Sequence, residues 1–433
     1  MRTLIISAML LLLIAGIFAG SENENVADEI IYADNFVGVG MRALAMGGTH
    51  IALAQDYSAA YYNPALLGFV FGNEVSGMIS IRNGNSTTTI NNGPEKTSDF
   101  SAVKLNNLSG VISARAKRGG VAVAVGYYRY QSFDYSNYFV GVRSDDNSIT
   151  SLETSDGGMG SFYLAAGGQV LEYISLGATM EAITGAQNYT WNSTISGFVD
   201  SSIVDTILPA TDSIFSDKIT EDVSGVTGRF GIAISPNKYF TWGALVKFPS
   251  LLKIKQEWVQ KTTIERTDDT REEIEYYQFE DNIDITMPFQ FGTGLALKSP
   301  IVNVSTDILY SDWRQIRYHK PAYFIQENPY IPDSYRAVLS FGAGLEFTLP
   351  IKFLPTRIRG GYRYDPIPYK PLNIEKERQF FTTGIAFLIE KSILLEGAAV
   401  FSNWKRSYST SRGNDISERY EITDIYIGLS YRF

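Results

Sequence analysis

The chain has 433 residues, of which 45% are apolar and 19% charged, and its formal net charge is −9. This acidic balance argues against nucleic-acid binding, which usually needs a basic surface. The sequence contains no cysteine, which excludes a disulfide framework and a cysteine-ligated metal site.

Residues 1–20 are predicted to be a signal peptide. Arg2 supplies the positive start, residues 4–18 the apolar core, and Ala19 and Gly20 the small residues of a cleavage site. The alternative is a membrane anchor, for which the apolar run is short. Beyond Gly20 no uninterrupted apolar run reaches about 18 residues, which argues against a helical membrane protein. The remaining classes are an exported soluble protein and an outer-membrane β-barrel.

Residues 21–72 are predicted to form a compact hatch of short helices. Asp56 is a candidate N-cap for the first helix, and Asn63 is one for the second, which has Pro64 at its first position. Gly47 and Gly48 allow tight turns. Such short helices need a wall to pack on, so we expect the hatch in a barrel lumen; a flexible periplasmic tail is the alternative.

The last strand, "EITDIYIGLSYRF", alternates with a strict period of two. Counting back from Phe433, every second residue is apolar or aromatic, and the other set is polar or small apart from Tyr426. A soluble sandwich strand could show the same pattern. A final Phe with a Tyr two residues before it resembles the terminal assembly signal of outer-membrane barrels, so Phe433 is expected to contact the outer-membrane assembly machinery.

The same alternation predicts fourteen strands over residues 73–433. They are expected near 73–81, 108–115, 119–131, 159–170, 173–191, 222–234, 238–258, 280–298, 301–313, 336–348, 356–364, 379–389, 392–404 and 420–433. Short connections alternate with long ones, the long ones being 82–107, 132–158, 192–221, 259–279, 314–335, 365–378 and 405–419. This sidedness is typical of an outer-membrane barrel. The predicted fold is an all-β, fourteen-stranded antiparallel transmembrane β-barrel with an N-terminal lumenal hatch.

Charged residues fall on the inward face of this barrel. They are Glu181, Arg229, Asp307, Glu346, Arg359, Arg363, Glu396 and Asp424. One interpretation is a mutually paired network that holds the hatch, because buried charges need partners. The other is that Arg359 or Arg363 binds a ligand carboxylate.

The connection over 193–221 carries apolar residues at helical spacing, among them Phe198, Ile203 and Ile207. They form either a landing site for an apolar ligand or a helix that packs on neighbouring loops.

The stretch "GMRALAMGGTHIALAQDYSAAYYNPALLGF" resembles the hatch motif of FadL-type outer-membrane transporters. The matching positions are Arg42, Ala43, Met46, Gly47, Gly48, Ala52, Asp56, Ser58, Ala59, Asn63, Pro64 and Ala65; Thr49 replaces the usual Ala. The stretches "MPFQFGTGLALKSPIVNVSTDILYSDW" and "RIRGGYRYDPIPYKP" also resemble the family. The resemblance implies a fourteen-stranded barrel with an N-terminal hatch, and an apolar landing site on long extracellular loops.

Better-known members of this family import long-chain fatty acids or aromatic hydrocarbons. A related PorV-like branch serves as a partner in type IX protein secretion, and the hatch motif does not separate the two. The leading hypothesis is passive outer-membrane uptake of a hydrophobic small molecule, gated by hatch residues that include Gly47, Gly48, Asp56, Asn63, Pro64 and Ala65. The alternative is an outer-membrane partner for protein secretion or surface attachment.

The sequence offers no catalytic constellation. His50 and His319 are the only histidines, and no Ser/His/Asp arrangement can be placed on the inward face. We therefore expect a non-enzymatic, monomeric protein without cofactor or metal, whose partners are membrane lipid and a hydrophobic ligand.

Overall fold

The computed structural model describes residues 38–116, 119–143, 146–196, 210–266, 270–351, 354–370, 372–409 and 413–433. The predicted signal peptide and the first part of the predicted hatch lie outside these residues, so their assignment stays a prediction. The same holds for Phe198, Ile203 and Ile207.

Eighteen strand segments of the described chain form one antiparallel sheet. They are β1 (Glu74–Ile90), β2 (Lys96–Ala116), β3 (Gly119–Ser132), β4 (Tyr135–Val142), β5 (Ser148–Leu171), β6 (Ile174–Ser196), β7 (Ala210–Asn237), β8 (Phe240–Lys247), β9 (Leu251–Arg266), β10 (Arg271–Thr286), β11 (Gln290–Lys298), β12 (Val302–Asp312), β13 (Arg317–Lys320), β14 (Ala337–Leu349), β15 (Thr356–Asp365), β16 (Asn373–Ile389), β17 (Ile393–Ser409) and β18 (Asp415–Arg432).

These segments make fourteen barrel strands. β8 and β9 both pair with β7 and continue one another, and β10 and β11 are likewise two halves of one strand, as are β12 and β13. β3 and β4 also continue one another along β5, and β4 packs on β1 as well.

The wall closes where β1 pairs with β18, from Glu74 opposite Arg432 to Ile90 opposite Ile416. Closure leaves no strand edge unpaired, which the hydrocarbon core of a membrane requires. The predicted fourteen-stranded antiparallel barrel is confirmed.

Strand β14 illustrates how the sequence builds this wall. Leu339, Phe341 and Leu345 are exposed on its outer face, whereas Ser340 and Glu346 are buried on its inner face. An apolar outer band and a polar lumen are the pattern of an outer-membrane barrel.

The prediction of long connections was wrong at most positions, because strands continue through them. The predicted loop 82–107 holds the end of β1 and the start of β2, joined by only five residues, 91–95. β7 has 28 residues, far more than the roughly 9–11 that cross a membrane. Above the membrane both faces of a strand meet polar surroundings or other loops, so the apolar alternation that marks a membrane strand disappears from the sequence.

Short helices occupy two places. α1 (Met41–Leu44), α2 (Ala59–Tyr62) and a 3₁₀ helix (Pro64–Phe69) fill the lumen near the barrel termini. A 3₁₀ turn (Trp313–Gln315) lies between β12 and β13, and α3 (Ala322–Ile325) and α4 (Ile331–Ser334) lie in the connection between β13 and β14. Across the described ranges, no helix combines the length and the apolar character needed to cross a bilayer.

The half of the barrel far from the termini is filled by apolar side chains, which we call the mouth cluster. It includes Phe133, Ile285, Ile316, Phe324, Ile331, Ile367 and Trp404, all buried. Because these residues come from strands around the wall and from the α3–α4 connection, the cluster crosses the lumen.

The hairpin ends at Asn92 and Thr270 should face the outside of the cell, and the turn at Glu390 the periplasm, because short turns mark the periplasmic side. All three residues are exposed. On intact cells an impermeant thiol reagent should label Asn92→Cys and Thr270→Cys but not Glu390→Cys, and permeabilised cells should label all three. The reverse labelling on intact cells would invert this topology.

Candidate functional site: a chamber between the hatch and the mouth

The second hatch helix begins as its sequence predicts. The Asn63 side chain accepts a hydrogen bond from the Ala65 backbone N–H at 3.1 Å, and Pro64 stands at the first helical position. The Asn63 amide nitrogen also donates to the carbonyls of Ile51 in the hatch (2.9 Å) and Ile232 in β7 (3.0 Å). Asn63 therefore both caps the second helix and links the hatch to the wall by a hydrogen bond.

The first helix differs from its prediction. Its N-cap position is Ser58, and Asp56 lies two residues earlier, where its carboxylate accepts hydrogen bonds from the Ser58 N–H (2.8 Å) and hydroxyl (2.5 Å). Asp56 thus shapes the turn before the helix, because an Asx turn competes with direct capping.

Gly47 lets the hatch backbone touch the wall. Its φ of 67° lies in the left-handed region, and a Cβ there would lie 2.6 Å from the Tyr362 carbonyl oxygen. On the wall side, a Cβ on Gly361 would lie 2.3 Å from the Gly47 nitrogen. Side chains on both surfaces are excluded, so no gap remains here.

Polar side chains of the wall bind the hatch backbone at several further points. The Asp307 carboxylate accepts from the backbone N–H groups of His50 (2.6 Å) and Ile51 (2.9 Å). The Thr382 hydroxyl accepts from the Gly47 N–H at 2.9 Å. Arg229, paired with Glu181, donates to the Tyr61 carbonyl at 2.9 Å.

A chain of four charges joins the hatch to three wall strands. Arg42 of the hatch binds Glu346 through two hydrogen bonds, the shorter 2.6 Å. Glu346 also accepts from Arg359 at 2.7 Å, and Arg359 donates to Glu396 at 2.6 Å. Since breaking a buried pair costs about 3–5 kcal/mol, this chain fixes the hatch strongly.

His50 is the buried titratable ring of the hatch. Its Nδ1 lies 3.0 Å from the Thr49 carbonyl, and its ring meets Tyr62 edge-on. Burial, with the Arg42 charge nearby, lowers the pKa of His50 to about 4. This folded pKa is below the usual 6.5. The titration of His50 therefore does not change the stability of the folded hatch above pH 6.5, and it lowers that stability progressively as the pH falls from 6.5 towards 4.

A chamber of about 160 Å³ lies between the hatch and the mouth cluster. The hatch supplies its floor through Ile51, Tyr61 and Tyr62. The wall supplies apolar side chains, among them Met159, Ile183, Leu245, Leu252 and Met287, and it also supplies charges.

Two cations in this lining have no acidic partner. The side chains of Arg363 and Lys247 make no hydrogen bond or ion pair with a described residue, although the charges of Asp307 and Glu181 act on them from a longer distance. Lys247 lies 5.9 Å from the Tyr130 ring. The neighbouring acids are engaged: Asp307 binds the hatch, and Asp365 binds Ser340 and Arg378. The chamber therefore offers unpaired positive charge beside apolar surface.

The inward charges predicted from the sequence do face the lumen, but they divide into three groups. One group holds the hatch: Glu181, Arg229, Asp307, Glu346, Arg359 and Glu396. Arg363 faces the chamber, and Asp424 pairs with Arg82 of the wall at 2.8 Å. The sequence did not single out Lys247, because it ends the short segment β8 just before the break at 248–250 and no local pattern separates it from other strand lysines.

Comparison with known proteins gives consistent results at the level of fold. A family model described as BamG matches residues 35–346. No curated protein sequence matches the chain. The solved structure of the Pseudomonas putida toluene transporter TodX matches with a TM-score of 0.62 and 15% identity, covering 92% of this chain and 99% of that one.

Two further solved structures share the fold. A Pseudomonas aeruginosa FadL homologue matches with a TM-score of 0.59 and 12% identity over 91% of this chain and 98% of that one. The CymD monoaromatic hydrocarbon channel matches with a TM-score of 0.57 and 15% identity over 93% and 99%. The resemblance to FadL-type barrels is therefore confirmed for the fold, and the protein resides in the outer membrane.

Replacing Asn63 tests the junction between hatch and wall. Asn63→Ala removes the cap, at about 1 kcal/mol, and the two hydrogen bonds that the Asn63 amide donates to Ile51 and Ile232, at about 1–3 kcal/mol together. Hydrogen exchange of peptides within 38–72 should accelerate at least tenfold, whereas the strands of the wall should be unchanged. Asn92→Ala, in an exposed turn, is the control; unchanged hatch exchange in Asn63→Ala would show that these bonds do not hold the hatch.

Proposed function

Because this chain belongs to the BamG family and folds as a hatched outer-membrane barrel, we propose that it admits small hydrophobic molecules to its chamber for passive passage. The observation that carries this proposal is the chamber itself. It combines apolar side chains with unpaired Arg363 and Lys247, although every other lumen charge named above has a partner.

The mouth cluster supports selectivity for apolar molecules. Its side chains are buried against one another in the half of the barrel far from the termini, so a molecule that approaches the chamber from that side meets apolar surface. An apolar molecule can enter such a cluster when side chains part, because it replaces one apolar contact with another.

The chamber volume favours small ligands. An engineered apolar cavity of about 150 Å³ binds benzene, whereas pockets for drug-sized ligands measure about 300–1,000 Å³. The chamber, at about 160 Å³, suits a monoaromatic hydrocarbon or a short carboxylate. TodX and CymD are described as a toluene transporter and a monoaromatic hydrocarbon channel. A long-chain fatty acid would need the chamber to enlarge.

Arg363, with Lys247, is our proposed carboxylate site, because a guanidinium binds a carboxylate through two parallel hydrogen bonds. Arg359 is already bound to Glu346 and Glu396, so we place it with the hatch. Phe198, Ile203 and Ile207 remain the proposed landing site. Release towards the periplasm requires a shift of the hatch, at Gly47, Gly48 and the Asn63–Ala65 cap, or of the wall.

A second function is favoured by the BamG match: a partner of the outer-membrane assembly machinery. The filled mouth and the fixed hatch suit a protein that acts through its surfaces. The closed wall offers no strand edge to a second copy, which supports a monomer. In either role, Phe433, exposed at the end of β18, is our proposed signal for the protein's own assembly.

Binding of labelled benzoate and toluene to the protein in lipid nanodiscs tests the chamber. Arg363→Gln should weaken benzoate binding at least tenfold and change toluene binding less than threefold. Ile183→Trp, which fills the chamber, should abolish both. Arg314→Gln, an exposed arginine beside Asp312, is the matched control. If wild-type protein binds neither compound, the chamber is not a site for small hydrophobic ligands.

Ile183→Trp also separates the two functions in cells. If the protein is a channel, this variant should lose uptake of the hydrocarbon. If it serves the assembly machinery, the same variant should restore normal amounts of folded, heat-modifiable outer-membrane barrels in cells depleted of the wild-type protein, since no assembly surface is altered.

A further inference from the structure

The chamber wall carries a row of three polar side chains on neighbouring strands. Lys247 of β8 stands opposite Gln290 of β11, and Gln290 stands opposite Ser311 of β12. All three residues line the chamber. Because residues directly opposite on paired antiparallel strands have Cβ atoms about 4.5–5.5 Å apart, the three side chains form one continuous polar surface, which we call the polar row.

Gln290 is the member of this row with unused hydrogen-bonding groups. It is in phase with the buried Gly292 and out of phase with the exposed Phe291, so its side chain points into the lumen. The side chain is half-buried and makes no hydrogen bond with a described residue. Ser311, in contrast, already donates to the Phe289 carbonyl at 3.3 Å. Since a polar group removed from water is costly without a partner, the Gln290 amide is available to a ligand.

An apolar row lies next to the polar row, on the side of the hatch. Leu245 and Leu309 both stand opposite Gly292. Ile51 of the hatch reaches the same glycine, because a Cβ on Gly292 would lie 2.8 Å from the Ile51 Cδ1 atom. An aromatic ring that rests on these three side chains therefore presents one of its substituents to the polar row.

Arg363 lines the same chamber from a different part of the wall. It lies on β15, and the strands β11, β12 and β14 separate β15 from β8, which carries Lys247. With neighbouring strands about 4.8 Å apart, Arg363 and Lys247 approach the chamber from different sides. A ligand whose carboxylate pairs with Arg363 needs a second polar group to use the polar row.

The charges of the chamber indicate that this second group is neutral. Four cations and two acids line the chamber, and a third acid outside the lining pairs with one of the cations, which leaves an excess of one positive charge. The cations are Arg229, Lys247, Arg363 and Arg378, and the acids are Asp307, Asp365 and Glu181. One carboxylate balances the excess, whereas two would leave a negative charge in the lumen without a partner.

We propose that the chamber selects an aromatic carboxylate that carries a hydroxyl at the opposite end of its ring. The carboxylate pairs with Arg363. The hydroxyl accepts a hydrogen bond from the Lys247 ammonium and donates one to the side-chain oxygen of Gln290, because a hydroxyl both donates and accepts whereas an ionised carboxylate only accepts. This inference rests on the proposed uptake function and names the class of molecule that is admitted.

Binding of labelled acids to the protein in lipid nanodiscs tests the proposal. 4-Hydroxybenzoate should bind at least tenfold more tightly than benzoate, whereas 2-hydroxybenzoate, whose hydroxyl lies beside its own carboxylate, should bind within threefold of benzoate. Terephthalate, with a second carboxylate in place of the hydroxyl, should bind more weakly than 4-hydroxybenzoate.

Each comparison can contradict one part of the proposal. Equal binding of benzoate and 4-hydroxybenzoate would overturn the hydroxyl site, although benzoate binding that depends on Arg363 would still support the proposed function. Equally tight binding of the 2-hydroxy and 4-hydroxy acids would overturn the placement of the two groups at opposite ends of the ring. Tighter binding of terephthalate would overturn the neutral second group.

A glutamine variant assigns the contact. In Gln290→Leu the ratio of 4-hydroxybenzoate affinity to benzoate affinity should fall from at least ten to below three, because Leu keeps the size of the side chain but has no hydrogen-bonding group. Gln326→Leu, at an exposed position between α3 and α4, is the matched control and should keep the wild-type ratio. Heat-modifiable migration shows that each variant is folded. A wild-type ratio in Gln290→Leu would overturn the polar row as the hydroxyl site.

Discussion

The pairing of β1 with β18 is the constraint on which the rest of the structure depends. In hydrocarbon, every backbone N–H and C=O of the wall needs a partner within the protein, and only a closed sheet supplies one at every strand. Closure creates an interior, and a fourteen-stranded interior is too wide for its own inward side chains to fill. The hatch and the mouth cluster fill most of it, and the chamber is what remains between them.

The lumen charges follow from the same constraint. Inward positions escape the lipid, so they tolerate charge, but the hatch takes away the water that would solvate them. Ion pairs such as Arg42 with Glu346 and Arg229 with Glu181 replace the lost hydration. Asp307 replaces it with hydrogen bonds from backbone N–H groups of the hatch. Arg363 and Lys247, which line the chamber, have no such partner. Because an unpaired cation in such a place costs stability, we propose that a ligand binds beside them.

The sequence predicts the membrane part of this fold well. A period of two survives wherever lipid faces one side of a strand and the lumen the other, which is why the strands β11, β14 and β18 are visible in it. Asn63 and Pro64 are readable because capping acts within three residues. Above the membrane the period fades, and β7 is therefore longer than its pattern suggests.

The site is less readable from sequence for a different reason. Arg42 and Glu346 are 304 residues apart in the chain, and no local pattern reveals that they meet. Alternation places Arg359 and Arg363 on the same face of the strand. Only the folded wall shows that Arg359 binds the carboxylates of Glu346 and Glu396, whereas Arg363 binds none. Asp56 and Ser58 compete for one cap, and the difference between them depends on a turn that propensity does not resolve.

The central claim is that fixed polar contacts between hatch and wall seal the lumen, and ion conductance across a planar bilayer tests it most directly. Wild-type protein should show no steady conductance. Glu346→Gln leaves Arg42 and Arg359 facing each other without their shared carboxylate, so it should open a persistent ion leak, whereas Glu390→Gln in an exposed turn should not. Steady conductance in the wild type, or a Glu346→Gln barrel as closed as the wild type, would contradict the account.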